Sequence, residues 1–279
     1  NSSVTEEGSM SRGRIVVVYG TRPESLKLGP VVAALKGRAQ VMIVATGQHT
    51  TLLKGTPAET DLAGGLSLNL PGTANWKGWV RNAESAIADA FSDMTPIACV
   101  VVQGDTMSAL AGARAAASLN LPLAHVEAGL RSHDPENPYP EEGIRVEITQ
   151  HADWHYVRTL LAKQYLLGEG VPEHRIHLTG NTVVSALERY ATLEHCPTPR
   201  RRIFITRHRR EWLKQGHFHI LSTLNALFEA AHENSTIDFV WPIHPSLRQI
   251  VGDLSKLSPK NVTFCDPLPY RETVETLRT

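Results

Sequence analysis

The stretch HVEAGLRSHDPENPYPEEGIR, residues 125–145, places five carboxylates within 21 residues. Among them, Glu127 and Glu141 flank loop sequence, and Asp105 ends the preceding apolar run VVVQGD. Carboxylates that lie close together disfavour simultaneous ionisation, so one can donate a proton while another accepts one. Such a set suits acid–base chemistry on opposite faces of one substrate. Taken singly, each acid is explained equally well as a helix cap or a surface charge.

Cations follow apolar runs at two further places in the sequence. GTRPESLK puts Arg22 and Lys27 at a predicted helix start, an arrangement that suits a phosphate group. TRHRRE puts Arg207, His208 and Arg209 directly after the apolar run RRIFI. The alternatives are a solvated helix start and a basic surface turn. GTRPESLK matches neither GxGxxG nor a P-loop, which argues against both of those nucleotide sites.

Alternating strands and helices must position these side chains. The β-branched runs at 14–20, 41–47 and 98–105 predict strands buried on both faces, and helical segments separate them. This alternation predicts an α/β fold with a doubly wound parallel sheet. Because ligands bind beyond the carboxyl ends of parallel strands, we expect the polar residues that follow the strands to line a site.

The strand–helix alternation starts again at RRIFIT, residues 201–206. We therefore predict two Rossmann-like domains that face a central cleft, residues 14–190 and 198–279. The second has few strand–helix units, and we interpret it as truncated. Residues 1–13 are polar, and we interpret them as a tag remnant or disordered leader.

Composition excludes several classes of protein. The 279 residues contain 28 basic and 28 acidic side chains, so no net charge favours nucleic acid or an anionic membrane. No apolar run reaches about 18 residues, so we expect no membrane span. Cys99, Cys196 and Cys265 lack metal-binding spacing, which favours free thiols in a reducing cytoplasm.

The motifs GTRPESLKLGPVV, GDTMSALAGARAA, HVEAGLRS, PEEGIR, LTGNTVV, TRHRRE and WPIHP occur in this order. Together they resemble the non-hydrolysing UDP-N-acetylglucosamine 2-epimerases, from about residue 14 to the end of the chain. The resemblance implies a GT-B-type fold, a homodimer, and interconversion of UDP-N-acetylglucosamine and UDP-N-acetylmannosamine without NAD or metal. In that reaction sugar carbon-2 loses a proton and UDP leaves carbon-1. UDP then adds back to the 2-acetamidoglucal, and a proton returns to the other face.

The resemblance also implies roles for individual residues. Asp105, Glu127 and Glu141 would surround the sugar, and His208 would stabilise the leaving diphosphate. The implied substrate contacts are Arg22, Lys27, Arg145, Asn181, Arg207, Arg209, His244, Leu268 and Thr273. The family's usual SGG…EE and TERPE segments do not follow PLPY. Two alternatives stay open at this point: a hydrolysing 2-epimerase that releases N-acetylmannosamine and UDP, and a non-catalytic homologue that binds nucleotide sugars.

Overall fold

A computed structural model of the chain describes residues 13–47, 58–71, 75–190, 200–206, 217–243, 252 and 254–278. The chain divides into two compact units, Asn1–Tyr190 and Ala191–Thr279. Among the described residues, no helix combines the length and the apolar character needed to cross a membrane.

The first unit is built on a seven-stranded parallel sheet. Its strands are β1 (Arg14–Tyr19), β2 (Val41–Ala45), β3 (Leu66–Ser67), β4 (Ile97–Gln103), β5 (Leu123–Ala128), β6 (Trp154–Val157) and β7 (Ile176–Leu178). Their order across the sheet is β3-β2-β1-β4-β5-β6-β7, and every pair of neighbours is parallel.

Helices connect these strands. They are α1 (Arg22–Lys36), α2 (Ala58–Asp61), α3 (Trp76–Asp93), α4 (Met107–Ser118), α5 (Glu141–His151), α6 (Leu160–Gly168) and α7 (Thr182–Tyr190). Apolar residues of α3, α4 and α5 pack on one face of the sheet, and those of α1 and α2 pack on the other. Val16, Val17 and Val18 of β1 are fully buried because the strand is covered on both sides. The predicted doubly wound parallel sheet is therefore confirmed for this unit.

Small residues let α4 lie close to the sheet. A side chain at Gly112 would meet Val102 at 3.0 Å and Val18 at 3.2 Å, so glycine allows the helix to pack against β1 and β4. Thr106 caps the helix by accepting a hydrogen bond from the Ala109 N–H. Thr106 therefore fixes the point at which the turn after β4 ends and α4 begins.

The second unit contains a smaller parallel sheet. Its strands are β8 (Arg201–Phe204), β9 (Ile237–Pro242) and β10 (Val262–Cys265), in the order β10-β9-β8. The helices α8 (His217–Glu233) and α9 (Tyr270–Arg278) accompany them. Ile220 and Leu224 of α8 form a core with Phe239 and Trp241 of β9. The α/β class with a parallel sheet is confirmed in this unit as well.

Candidate active site

A cavity of about 340 Å³ lies at the carboxyl ends of β1, β4 and β5. Its lining includes the acids Glu24, Asp105 and Glu127 and the cations Lys27 and Arg145. The sheet topology explains the convergence, because β1, β4 and β5 are neighbours and all end at the same edge.

Glu127 projects into this cavity from an irregular position on β5. The pairing register between β5 and β6 shifts between Val126 and Ala128, and Glu127 has a left-handed φ of 66°. A residue other than glycine rarely adopts this conformation, which re-aims the side chain relative to a regular strand. The Glu127 side chain is only 7% exposed.

Three donors from three different elements surround the Glu127 carboxylate. Lys27 Nζ of α1 and Gln103 Nε2 of β4 both donate to Oε2. Arg158 Nη1, which follows β6, donates to Oε1 over 3.2 Å. Two of the three are cations, so the buried negative charge is paired rather than isolated.

Asp105 is fixed by an arginine from α5. Arg145 Nε donates to Asp105 Oδ2 over 2.8 Å, and Arg145 Nη1 reaches Glu142 Oε2 at 3.1 Å. Burial opposes the charge on Arg145, but the carboxylates of Asp105 and Glu142 raise its pKa above the ordinary value. A single guanidinium therefore joins the turn after β4 to the first turns of α5.

Glu142 anchors the loop that precedes α5. Its carboxylate is buried and accepts hydrogen bonds from the Ser132 N–H at 3.0 Å and the His133 N–H at 3.1 Å. Burial alone would raise the pKa of Glu142, but these two bonds and Arg145 together hold it below the ordinary value. Glu142 thus connects the loop backbone to the arginine that holds Asp105.

Glu24 joins the turn after β1 to the turn after β4. Its Oε2 accepts hydrogen bonds from the Gly20 N–H at 3.1 Å and the Thr21 N–H at 2.7 Å. Its Oε1 accepts a hydrogen bond from the Thr106 hydroxyl at 2.7 Å. Burial raises the pKa of Glu24, and its hydrogen bonds with Thr106, Thr21 and Gly20 oppose that rise. The contact with Thr21 is a capping box that begins α1.

Of the other predicted site residues in the first unit, three lie outside the cavity lining. Arg22 stands between the lining residues Thr21 and Pro23 and is half-buried. Glu141 begins α5, and its Oε2 is buried with no hydrogen-bond partner among the described residues. Asn181 accepts a hydrogen bond from the Val183 N–H at 3.1 Å, which places it at the start of α7.

The remaining predicted residues belong to the second unit. Leu268 is half-buried, and the Thr273 hydroxyl donates to the Pro269 carbonyl within the first turn of α9. Four predicted residues lie outside the described parts of the chain: Arg207, His208, Arg209 and His244. Most of the predicted leader, residues 1–12, also lies outside them.

Comparison with known proteins decides the family. The profile of the UDP-N-acetylglucosamine 2-epimerase family matches residues 33–279. The chain belongs to this family. The resemblance drawn from its motifs is therefore confirmed.

Relatives of the epimerase family match nearly the whole chain. A probable UDP-N-acetylglucosamine 2-epimerase of Ralstonia solanacearum is 32% identical, over 92% of this chain and 72% of that protein. The crystal structure of the Neisseria meningitidis 2-epimerase bound to UDP-N-acetylglucosamine has a TM-score of 0.82 at 28% identity, covering 95% of this chain and 75% of that one. The Methanocaldococcus jannaschii 2-epimerase in complex with UDP-N-acetylglucosamine and UDP has a TM-score of 0.73 at 28% identity, covering 93% and 75%. This chain thus spans about three quarters of their length.

Sequence reasoning missed four residues of the network in this epimerase. Gln103 and Arg158 follow the same strand-end rule that identified Asp105 and Glu127, so that rule applied to every polar residue would have found them. Thr106 was not singled out in the sequence, and Glu142 was not distinguished from its neighbour Glu141. More residues at the strand ends therefore belong to the site than the predicted acids alone.

Proposed function

We propose that this protein interconverts UDP-N-acetylglucosamine and UDP-N-acetylmannosamine through a 2-acetamidoglucal intermediate. The observation that carries the proposal is one cavity in which Asp105 and Glu127, each paired with cations, meet at neighbouring strand ends. Membership of the 2-epimerase family and the UDP-N-acetylglucosamine bound to the Neisseria meningitidis relative support the choice of substrate.

The proposed chemistry uses the carboxylates for proton transfer at sugar carbon-2. A base removes the carbon-2 proton as the bond between carbon-1 and the UDP oxygen breaks, and the electron pair leaves with UDP. Re-addition of UDP to carbon-1 and protonation of carbon-2 from the opposite face give the epimer. Two carboxylates that reach the cavity from β4 and β5 suit these two roles, because each can be placed on its own side of the ring.

We assign Glu141 to the same group of carboxylates. Its buried Oε2 has no partner among the described residues, so an acceptor at the start of α5 is left unsatisfied by the protein. The negative charge that develops on the departing diphosphate requires fixed cations. His208 is proposed as the catalytic residue that stabilises this diphosphate. The proposed substrate contacts are Arg22, Lys27, Arg145, Asn181, Arg207, Arg209, His244, Leu268 and Thr273.

We further propose that the protein acts as a homodimer in the cytoplasm and needs neither metal nor nicotinamide cofactor. Free thiols at Cys99 and Cys265 suit a reducing compartment. The dimer is inferred from the resemblance alone, and light scattering of the purified protein tests it directly.

Incubation with UDP-N-acetylglucosamine in D₂O tests the reaction. We expect UDP-N-acetylmannosamine that carries deuterium at carbon-2, measured by proton NMR. Accumulation of free N-acetylmannosamine with UDP would instead indicate the hydrolysing reaction. Absence of both product and carbon-2 exchange would overturn the enzymatic assignment and favour a binding protein.

Substitution of the cavity acids tests their roles. We expect Asp105→Asn and Glu127→Gln each to lower kcat by about 10²-fold or more, because general acid–base catalysis contributes factors of this size. UDP binding, measured by calorimetry, should persist. Glu136→Gln is the matched control, because Glu136 is an exposed acid of the loop between β5 and α5 and lies outside the cavity lining. Wild-type kcat in both cavity variants would refute the assignment.

A further inference from the structure

The turn after β4, which carries Asp105, is held by two consecutive residues of β5. Gly104 has a left-handed φ of 73° and donates its N–H to the Val126 carbonyl over 3.0 Å. The carbonyl of Gly104 lies 2.8 Å from His125 Nε2. Both backbone polar groups of this glycine are therefore bonded to the neighbouring strand.

The chemistry of that contact fixes the state of the His125 ring. A carbonyl oxygen can only accept, so Nε2 must carry the hydrogen and donate it. Nδ1 is then the unprotonated nitrogen, and it is buried with no hydrogen-bond partner among the described residues. Burial lowers the pKa of His125 to about 4, although the bond to Gly104 opposes this shift. The ring is consequently neutral near pH 7 and keeps one orientation.

Packing alone does not explain an imidazole at this position. His125 is 1% exposed, and an unpartnered nitrogen at such a site destabilises the folded state. An apolar side chain of similar volume would fill the space without that penalty. What the imidazole adds is the hydrogen bond to Gly104.

That hydrogen bond determines the direction of Asp105. The peptide between Gly104 and Asp105 is planar, so fixing the Gly104 carbonyl also fixes the plane from which Asp105 projects. We propose that His125 is a positioning residue that holds the Asp105 carboxylate in its reactive orientation through the Gly104 carbonyl. The inference rests on the proposed function, because it takes Asp105 to act on the sugar.

The chain offers a matched control for this role. His155 of β6 is the pairing partner of His125 and is also 1% exposed. Burial lowers the pKa of His155 to about 4, and its Nδ1 also has no partner among the described residues. Its ring bonds instead to the backbone of Ala152, which ends α5 away from the cavity. The two histidines are therefore equally buried, but only His125 bonds to the turn that carries Asp105.

The test compares glutamine and methionine at both positions. Glutamine can place an amide N–H where Nε2–H lies, and methionine cannot. We expect His125→Met to lower kcat by about 10- to 100-fold with KM within about 3-fold, because small misplacements of a reacting group have effects of this size. His125→Gln should recover kcat to within about 5-fold of wild type, and both His155 variants should stay within about 3-fold.

Several outcomes would overturn the inference. Wild-type kcat in His125→Met is one, and an equal loss in His155→Met is another. If His125→Met does not fold, His125→Gln decides, since a kcat reduced by about 10-fold or more in that variant contradicts the proposal.

A second measurement separates this inference from the proposed function. Hydrogen–deuterium exchange of the peptide that covers residues 103–107 should accelerate in His125→Met and stay unchanged in His155→Met. The exchange measurement does not depend on turnover. An inactive wild-type protein would refute the proposed epimerase function, and exchange would still test whether His125 holds the turn that carries Asp105. Unchanged exchange in His125→Met would refute the positioning role.

Discussion

Replacing Glu142 with glutamine removes a negative charge from a carboxylate that is 4% exposed and accepts hydrogen bonds from three donors. Two of the donors are backbone N–H groups of Ser132 and His133, and the third is the Arg145 guanidinium. Glutamine has nearly the same shape, so the change tests charge and hydrogen bonding without opening a cavity.

The contacts set the size of the effect. The carbonyl oxygen of glutamine can replace only one of the two carboxylate oxygens and accept the hydrogen bonds made there. Its NH₂ group takes the place of the other oxygen and must then face a donor. A hydrogen bond to a charged group contributes about 1.5–3 kcal/mol, and a buried donor left unpaired adds a further loss. We therefore expect Glu142→Gln to lower the free energy of unfolding by about 2–4 kcal/mol at pH 7.

The pH dependence gives this prediction a distinct signature. The pKa of Glu142 in the folded state is below its ordinary value of 4.5. The stabilisation is therefore complete above about pH 4.5 and is lost as the pH falls through the folded-state pKa. The difference between wild type and variant should shrink over that range, as measured by urea unfolding at a series of pH values.

Glu147→Gln provides the control on the same helix. Glu147 is 32% exposed and pairs with Arg114, so its replacement should change the free energy of unfolding by at most about 1 kcal/mol. A Glu142→Gln effect no larger than that of Glu147→Gln, or a difference that does not change with acid, would refute the reasoning.

Two further changes test the packing and the hydrogen bonding of the first unit. Gly20→Ala should destabilise the protein by about 1–3 kcal/mol, seen as a lower Tm, because its Cβ would lie 1.9 Å from Ser108 Oγ and 2.3 Å from Thr46 Oγ1; an unchanged Tm would contradict this. Tyr190→Phe should reduce the free energy of unfolding by about 1–2 kcal/mol, because it deletes the 2.6 Å hydrogen bond that the tyrosine hydroxyl donates to Asp61. Urea unfolding measures this loss. If Tyr190→Phe causes the same loss in a protein that already carries Asp61→Asn, the hydrogen bond is not its cause.

The strands of the first sheet could be predicted well because each is marked by a short apolar run in the sequence. The apolar runs at 14–20 and 41–47 contain β1 and β2, and the run at 98–105 covers all of β4 except its first residue, as expected for strands buried on both faces. The strand-end rule then led to Asp105 and Glu127, and the structure places both in one cavity.

What the sequence could not supply depends on local geometry. Glu141 and Glu142 are adjacent acids, and only the helical phase decides which one faces Arg145. The register shift that turns Glu127 towards Lys27 has no signature in the sequence. Such details require the three-dimensional packing of β5 against its neighbours.

The buried carboxylate of Glu24 has a thermodynamic consequence for any molecule that enters the cavity. Because it bonds to the backbone before α1 and to the Thr106 hydroxyl before α4, the protein's own hydrogen bonds hold both turns in place. A preorganised pocket loses little conformational entropy when it fills. More of the intrinsic interaction energy then remains for the transition state, and loosening these hydrogen bonds should weaken tight-binding analogues of that state more than the substrate itself.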